Sequence, residues 1–302
     1  MPAPVSVVVA SRNGAGRLAG LLPRLLAQVV ALPGAQVVVC DNGSGDGTAR
    51  MAEQAFAARP EVPAQVVAEP APGKARALNA ALARCSGEIL AFLDDDVIPS
   101  PGWLSSVVSA FSNKNLDGLG GRVLPYWDGP PPWWFTPAVA GFTPVHDRGD
   151  RELAYSLPGP LPVGAAMAIR REAVERLGPF DPELGHRDGV TFGAEESEWF
   201  FRAMTSGFRF AYRPEAWVLH PMEAFRPKAA MRRRAFAQGR GAARMAAAIV
   251  RKGLPLRRFF RGPAGGREAG KTAFFYELRF LLAMGMGWEM VQANRQPASR
   301  LV

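Results

Sequence analysis

The fold is decided by a stretch of twelve residues that reads Glu88-Ile89-Leu90-Ala91-Phe92-Leu93-Asp94-Asp95-Asp96-Val97-Ile98-Pro99. Its apolar run is typical of a strand that is buried on both faces. The run ends in three aspartates, whose charges repel one another unless water or a cation lies among them. Ligands of open α/β sheets bind at the carboxyl ends of the strands. We therefore interpret Asp94 and Asp96 as ligands of a divalent metal that holds a nucleotide diphosphate, with a solvated acidic turn as the alternative.

Strand and helix patterns alternate around this stretch. Apolar runs predict strands, and apolar residues at helical spacing predict helices. The elements predicted before residue 88 are strands at 5–10, 36–40 and 65–68, and helices at 17–30, up to about 58, and 74–84. Alternating elements with short loops favour an α/β fold with a parallel, Rossmann-like sheet and right-handed crossovers.

The rest of the chain completes this domain and adds a helical tail. The elements predicted after the aspartates are helices at 103–111, 171–177 and 195–205, and strands at 118–124, 162–170, 208–212 and 216–219. We expect a domain at 1–222, with a nucleotide-binding half at 1–100 and an acceptor-binding half at 101–222. The tail at 223–302 is predicted to hold a basic helix (227–252), a linker (262–270) and an apolar helix (272–294).

The net charge of +9 is concentrated in this C-terminal tail. Residues 223–302 contain 17 Lys and Arg against 4 Asp and Glu, whereas residues 1–222 contain 19 against 23. A basic segment beside an apolar helix favours attachment to an anionic membrane surface and disfavours nucleic acid as the partner. The alternative is a helical pair that docks on the sheet or forms a homodimer interface.

Cysteine content and hydropathy indicate the compartment. The two cysteines, Cys40 and Cys85, lie in or beside apolar segments, so we interpret them as small buried hydrophobes and not as a disulfide framework. We expect no secretory signal peptide, and no apolar run approaches the roughly 20 residues of a membrane-spanning helix. These features predict a cytoplasmic protein, peripheral on the inner face of the cell membrane.

Four further groups of polar residues are candidates for chemistry. Asp41 ends the second predicted strand, where a carboxylate can accept the imide N–H of a uracil ring or cap a turn. Lys74 opens a helix, whose N-terminus already favours anions. Glu195 and Glu196 begin another helix, either as a general base or as a complement to the helix dipole. His220 follows a short strand and is either a third metal ligand or a structural histidine.

Taken together, these motifs resemble family 2 glycosyltransferases with a GT-A fold. The resemblance covers residues 4 to about 222, and the motifs stand in the family's order. The segments that carry it are Val5 to Asn13, Val39-Cys40-Asp41-Asn42-Gly43-Ser44-Gly45-Asp46-Gly47-Thr48, Gly73 to Asn79, Asp94-Asp95-Asp96, Gly178-Pro179-Phe180-Asp181, Glu195-Glu196 and Val218-Leu219-His220. Such a resemblance implies a nucleotide-sugar donor, Mn²⁺ or Mg²⁺ as cofactor, and inversion at the anomeric carbon.

The resemblance also implies roles for individual residues. The implied nucleotide-sugar site consists of Ala10, Ser11, Arg12, Asp41, Lys74, Asn79, Asp94 and Asp95. The implied metal ligands are Asp96, Asp94 and His220. Glu196 stands where the family usually has the aspartate of a Glu-Asp pair, so the general base is Glu196 or Glu195. The Gln-x-x-Arg-Trp motif of processive members is missing after His220, which predicts transfer of a single sugar.

The acceptor site is predicted from aromatic residues, because aromatic faces stack on sugar rings. The candidate residues are Trp133, Trp134, Phe180 and Asp181. For the two tryptophans, the edge of a hydrophobic core is an equal alternative. The resulting hypothesis is a metal-dependent inverting transferase that uses a UDP- or GDP-sugar and a saccharide, lipid-linked or natural-product acceptor. A GT-A-like nucleotidyltransferase and a non-catalytic scaffold that binds membrane or nucleic acid remain alternatives.

Overall fold

The computed structural model describes residues 4–185, 193–258 and 273–295, so the linker predicted at 262–270 lies outside it. These residues form one sheet with helices around it. The strands are β1 (Val5–Ser11), β2 (Gln36–Asp41), β3 (Ala64–Ala68), β4 (Ile89–Asp94), β5 (Ile98–Pro99), β6 (Gly118–Tyr126), β7 (Leu153–Ala154), β8 (Ala166–Arg170) and β9 (Phe210–Pro221). The helices are α1 (Ala15–Val30), α2 (Thr48–Ala57), α3 (Lys74–Leu82), α4 (Trp103–Ala110), α5 (Pro137–Ala140), α6 (Arg171–Leu177), α7 (Glu195–Thr205), α8 (Lys228–Arg251) and α9 (Ala273–Arg295).

The sheet has a parallel half and a mixed half. Its order is β3-β2-β1-β4-β8-β6-β9-β5, and β7 pairs with β9. The first four strands are parallel, as predicted, and β8 then enters antiparallel between β4 and β6. The predicted α/β sheet and the C-terminal helical tail are confirmed.

The core lies on both faces of β1 and β4. Alternate residues of β1 contact opposite layers, because successive side chains of a strand point to opposite faces. One face packs against the apolar stripe of α1, and the other packs against α3 and α7. The apolar run of β4 is at most 3% exposed, which agrees with its uniform composition. This burial fixes the position of the aspartates that follow.

The mixed half differs from the prediction at β9. Two short strands were expected at 208–212 and 216–219, but one strand runs from Phe210 to Pro221. Its pairing with β6 shifts register between Gly121 and Val123, and this bulge lets the strand continue past Pro214. A β-carbon at Gly121 would overlap the carbonyl oxygen of Ala216, so only glycine fits there. The long strand carries His220 to the edge where the aspartates lie.

The C-terminal tail packs on the rest of the protein. Helices α8 and α9 lie side by side and are parallel. Ion pairs join Arg232 to Glu277 near their starts and Arg244 to Glu289 further along both helices. Side chains of both helices pack with the loop around α5, and α8 also packs on α7. Within the described residues, neither helix is long and apolar enough to cross a membrane.

Candidate active site

The parallel strands bring the predicted polar residues to one edge. In the β-sheet register, Ser11 lies opposite Asp41, and Ala10 lies opposite Asp94. These residues end β1, β2 and β4, and the carboxyl ends of neighbouring parallel strands form a crevice for ligands. His220 reaches this edge from the end of β9, which pairs with the two-residue strand β5 just after the aspartates.

Asp95 points into the protein and anchors the loop after β1. Its carboxylate accepts a hydrogen bond from Ser11 Oγ at 2.5 Å and from Arg17 Nε and Nη2 at 2.9 Å each. Both oxygens are therefore occupied, and the residue is 9% exposed. Asp95 is predicted to contact the nucleotide sugar, and in the structure its partners are Ser11 and Arg17. A β-carbon at Gly14 would overlap this hydrogen-bonded cluster.

Asp94 and Asp96 point to the same site as His220. One ligand atom from each of the three lies within 4.8 Å of the others. The ring of His220 donates from Nδ1 to the carbonyl oxygen of Pro221 at 2.9 Å, since a carbonyl can only accept. In the neutral ring the lone pair is then on Nε2, and this atom lies 3.6 Å from Asp96 Oδ1. Two carboxylates and an oriented imidazole fit a divalent cation, and such an outer hydrogen bond is typical of metal-binding histidines.

The charge of Asp96 reflects this setting. Burial raises its pKa, Asp94 and Asp95 raise it further, and His220 and Arg17 lower it. Arg17 pairs with Asp95 and Lys74 pairs with Asp94, and the imidazole of His220 lies beside Asp96. A cation bound among them would relieve the remaining repulsion.

Lys74 lies between the aspartates and the glutamates. Its Nζ is 2.7 Å from Asp94 Oδ1 and 3.9 Å from Glu195 Oε1. Burial alone would lower the pKa of Lys74, but Asp94, Glu196 and Glu195 together raise it. The preceding Gly73 has a φ of 146°, which side-chain-bearing residues rarely adopt, and this turn aims the start of α3 at the site.

The two glutamates at the start of α7 differ in accessibility. Glu195 is fully buried, and its Oε2 accepts the backbone N–H of Ala194 at 3.0 Å. Burial, and then the charge of Glu196, raise the pKa of Glu195 to about 8. Glu196 is partly exposed, and a β-carbon at Gly164 would lie 2.7 Å from its Oε1. Glycine at 164 therefore leaves open the space in front of Glu196.

Comparison with known proteins identifies the family. The model of Glycosyl transferase family 2 matches residues 6–178, which is more than half of the chain. The chain belongs to glycosyl transferase family 2. The residues after 178, including Glu196 and His220, lie beyond this match and rest on the geometry above.

Relatives and solved structures agree with the family. Over 223 residues, this family 2 chain is 30% identical to the pre-mycofactocin glycosyltransferase of Mycobacterium tuberculosis, and the alignment covers 72% of the chain and 42% of the relative. The chain thus spans less than half the length of that curated relative. Among solved structures, the mannosyltransferase PcManGT from Pyrobaculum calidifontis, in complex with GDP-Man and Mn²⁺, has a TM-score of 0.62 at 20% identity and covers 100% of this chain and 79% of that one. TarS of S. aureus, in complex with UDP-GlcNAc, has a TM-score of 0.53 at 18% identity, with coverages of 84% and 68%. These likenesses show the fold.

The other residues of the predicted nucleotide site lie at the same edge. Asp41 is partly exposed, and its Oδ1 accepts the backbone N–H of Ser44 at 3.2 Å. Arg12 is exposed and Ala10 is partly buried. The structure therefore leaves Asp41 and Arg12 accessible to a ligand of this family 2 domain, whereas Ser11 is buried and bonded to Asp95.

Asn79, Phe180 and Asp181 serve packing and local structure. The Asn79 side chain donates to the Phe180 carbonyl at 2.9 Å and accepts the Phe180 N–H at 3.1 Å, so its amide is used. The Phe180 ring is 0% exposed and packs against Phe92 and Trp199. Asp181 forms an ion pair of 2.8 Å with Lys252 of the segment after α8. The predicted donor contact of Asn79 and acceptor contact of Phe180 therefore involve an amide that is already hydrogen-bonded and a ring that is buried.

The two tryptophans of the aromatic loop separate into different environments. Trp134 is 5% exposed and packs edge-on against Phe274 of α9, which agrees with the core-edge alternative. Trp133 is 83% exposed, with Lys228 Nζ 4.6 Å from its ring centroid. Of these two tryptophans, Trp133 has the exposed ring, and Lys228 lies over one of its faces.

Two arginines near the site were not predicted. The apolar spacing of α1 does not mark Arg17, whose partner Asp95 lies 78 residues away in the chain. Arg234 belongs to the basic tail by composition; burial lowers its pKa, whereas Asp94, Glu196 and Asp96 raise it. No sequence pattern marks either residue, because each contact depends on packing between distant elements.

Proposed function

We propose that this chain transfers one sugar from a UDP- or GDP-sugar to an acceptor hydroxyl, with inversion and with a divalent cation. One observation carries the proposal. The carboxylates of Asp94 and Asp96 and the imidazole of His220 converge at the crevice that Lys74 and Glu196 also reach. Family membership favours glycosyl transfer over a nucleotidyltransferase or a non-catalytic scaffold.

Asp94, Asp96 and His220 would hold the cation, as Mn²⁺ or Mg²⁺. The imidazole favours Mn²⁺, since Mg²⁺ prefers oxygen ligands. When bound, such an ion supplies positive charge that stabilises the diphosphate leaving group. PcManGT, with its GDP-Man and Mn²⁺, supports this assignment by analogy of fold.

Side chains of the protein would bind the nucleoside and accept the proton that the reaction releases. Asp41 and Arg12 would contact the nucleoside part of the donor. Glu196 would accept the proton of the acceptor hydroxyl while the acceptor oxygen attacks the sugar C1. The bond from C1 to the diphosphate oxygen then breaks on the opposite face, and the nucleoside diphosphate leaves with that electron pair. Attack and departure on opposite faces give inversion.

Glu196 suits the role of base better than Glu195. A general base must touch the acceptor hydroxyl, and Glu195 has no exposed surface. The raised pKa of Glu195, about 8, also keeps that carboxyl mostly protonated at neutral pH. We therefore assign Glu195 to the support of Lys74 and the α7 N-terminus, and Glu196 to proton transfer.

The acceptor is proposed as a saccharide, a lipid-linked saccharide or a natural product, in cell-surface polysaccharide, glycolipid or natural-product glycosylation. Trp133 provides the exposed ring for stacking on a sugar. The absence of Gln-x-x-Arg-Trp after His220 supports transfer of a single sugar.

Asp96→Asn tests the metal site directly. The wild type should gain thermal stability from UDP or GDP only with Mn²⁺, and Asp96→Asn should bind Mn²⁺ at least about 10-fold more weakly. Asp150→Asn is the control, because the Asp150 side chain is 88% exposed and lies outside the triad. Donor hydrolysis should fall in parallel with Mn²⁺ binding. Unchanged Mn²⁺-dependent stabilisation and hydrolysis in Asp96→Asn would rule out the proposed metal site.

The C-terminal tail is proposed to attach the protein to an anionic cytoplasmic membrane surface. An apolar stripe on α9, formed by Tyr276, Phe280, Met284 and Trp288 at four-residue spacing, is 49–64% exposed. Aromatic residues at a membrane interface bury their rings, while nearby basic residues attract anionic lipid. The balance of 17 basic to 4 acidic residues in 223–302 therefore favours membrane over a second positively charged copy.

Vesicle flotation of the full-length protein tests this attachment. The wild type should float with vesicles of phosphatidylcholine and phosphatidylglycerol and not with phosphatidylcholine alone, and added salt should weaken binding. Phe280→Ser combined with Trp288→Ser should abolish flotation, whereas Val30→Ser, at a 45% exposed position on α1, should not. A wild type that stays unbound and forms a dimer that the double variant loses would favour the homodimer instead.

A further inference from the structure

Lys252, the residue that follows α8, contacts two carboxylates of the part of the chain before the tail. Its Nζ lies 2.8 Å from Asp181 Oδ2 and 3.0 Å from Glu198 Oε1. The side chain of Glu198 is fully buried, and that of Asp181 is 12% exposed. Because a buried carboxylate is costly unless it is paired, these contacts hold the end of α8 to both residues.

Glu198 lies in the first turn of α7, together with Glu195 and the proposed base Glu196. No side chain caps the N-terminus of this helix. Carboxylates so close together repel one another, so the turn keeps its place only if cations hold it. Lys74 Nζ lies 3.9 Å from Glu195 Oε1, and the cations at Glu198 hold the same turn at a second point.

Arg202 and Lys252 share Glu198 but connect it to different elements. Arg202 lies on α7 itself, and its Nε is 2.9 Å from Glu198 Oε1. Its terminal nitrogens donate to the carbonyl oxygens of Leu177 and Pro179 at 2.6 and 3.0 Å. Lys252 instead connects Glu198 to α8, whose side chains also pack on α7. The start of α7 is therefore fixed relative to the C-terminal tail by a charged contact.

Proton transfer depends closely on where Glu196 lies, since a shift of about 1 Å can lower a rate on the order of 100-fold. Building on the proposed function, we infer that Lys252 is a positioning residue for Glu196. It acts through its ion pair with Glu198, which sets the place of the first turn of α7 and thus of the Glu196 carboxylate. The C-terminal tail thereby supports catalysis from outside the metal-ligand set.

Variants at two neighbouring positions separate this contact from the charge of the tail. Lys252→Gln removes the ammonium group from Glu198, and Lys252→Arg keeps a cation there. Arg251→Gln is the matched control, because Arg251 is the last residue of α8, is exposed, and forms no hydrogen bond or ion pair with any described residue. The control removes the same charge without removing the contact with Glu198.

Mn²⁺-dependent donor hydrolysis by the full-length protein tests the inference, because water then replaces the acceptor hydroxyl and Glu196 accepts its proton. The donors are UDP-glucose, UDP-N-acetylglucosamine and GDP-mannose. Lys252→Gln should lower kcat about 10-fold or more, with the donor KM and the Mn²⁺ affinity within about 2-fold of wild type. Lys252→Arg should recover most of the lost kcat, and Arg251→Gln should match the wild type.

A double-mutant cycle shows whether Lys252 acts through Glu198. In Glu198→Gln the charge that Lys252 holds is gone, so adding Lys252→Gln should change kcat less than about 2-fold. Circular dichroism checks that each variant is folded at the assay temperature, and that temperature is kept well below the lowest thermal midpoint.

Each other outcome contradicts the inference in a recognisable way. An unchanged kcat in Lys252→Gln would show that the ion pair only stabilises the fold. A loss of Mn²⁺ affinity or a rise in donor KM as large as the loss of kcat would indicate that the whole site has loosened. Equal losses in Lys252→Gln and Arg251→Gln would assign the effect to net charge, and a loss that persists in Glu198→Gln would exclude Glu198 as the link. A wild type that hydrolyses none of the three donors with Mn²⁺ would overturn the proposed function itself, and the inference with it.

Discussion

Replacement of Glu195 by glutamine should make the protein's stability less sensitive to pH. Glu195 is fully buried, and its pKa is raised to about 8 by burial and by the charge of Glu196. Between the unfolded pKa, about 4.5, and pH 8, the folded protein keeps a proton that the unfolded chain has released. Because the folded state binds more protons in this window, the stability contributed by Glu195 is present at low pH and is lost as pH rises.

The size of the effect follows from the shift. One pKa unit corresponds to about 1.36 kcal/mol. The proton that Glu195 must take up on folding therefore lowers the free energy of unfolding by about 1 kcal/mol at pH 5 and about 3 kcal/mol at pH 7. Glutamine at 195 carries no charge in either state and has no such cost. Its amide introduces a fixed penalty, which cancels when two pH values are compared. The free energy of unfolding of Glu195→Gln, relative to wild type, should therefore rise by roughly 2–3 kcal/mol between pH 5 and pH 7.

Urea denaturation at a series of pH values measures this difference. Glu198→Gln is the control on the same helix, because Glu198 is equally buried but pairs with Arg202 at 2.9 Å and Lys252 at 3.0 Å. Removing that charge should lower the free energy of unfolding by about 2–4 kcal/mol at pH 7. A difference between Glu195→Gln and wild type that stays constant with pH would refute the reasoning.

The remaining predictions concern glycines at close contacts and the base. Gly239→Ala should lower the free energy of unfolding by about 1–3 kcal/mol, because its β-carbon would overlap the carbonyl oxygen of Leu282. Gly287→Ala on α9 meets open space and should raise the free energy of unfolding by about 0.5–1 kcal/mol. Thermal denaturation measures both changes. Gly164→Ala should slow transfer at unchanged Mn²⁺ affinity, since its methyl group would press on Glu196 Oε1 at 2.7 Å; unaltered kcat would contradict it. Glu196→Gln should lower kcat about 100-fold or more, and Glu195→Gln much less; the reverse order, measured with a nucleotide-sugar donor, would assign the base to Glu195.

The parallel half of the fold could be predicted because the apolar pattern within each strand and helix shows which of its faces is buried. The run from Ile89 to Leu93 is apolar at every position, since β4 is covered on both faces. The helical spacing of leucines in α1 predicts its buried face for the same reason. Such patterns depend only on which face of an element meets the core.

The mixed half could be predicted less well because its structure depends on distant partners. The strand β9 has extra residues between Arg213 and Val218, and Gly121 of β6, about 90 residues earlier, leaves room for the carbonyl oxygen of Ala216 among them. Phe180 lies in a turn, and the sequence of a turn does not show whether its aromatic ring is exposed for stacking on a sugar or buried in the core. Phe92 and Trp199, which cover it, are far away in the chain.

The sequence motifs predict which residues gather at the site. The partner of each aspartate is seen only in the structure. The three aspartates are chemically identical, yet Arg17 binds Asp95, Lys74 binds Asp94, and His220 faces Asp96. The partner of each aspartate comes from a different element. Sequence order therefore indicates that a cation site exists and does not indicate which carboxylate is already neutralised.

The boundary predicted at residue 222 follows the change in amino-acid composition, and several contacts cross it. Arg234 reaches the carboxylate edge from the C-terminal tail, and Trp134 loses its cover if α9 is removed. Lys252 likewise holds both Asp181 and Glu198, beside the start of α7. A surface that binds lipid through the outer stripe of α9 would be joined to the donor site through α8, because glycines bring the two helices into direct backbone contact.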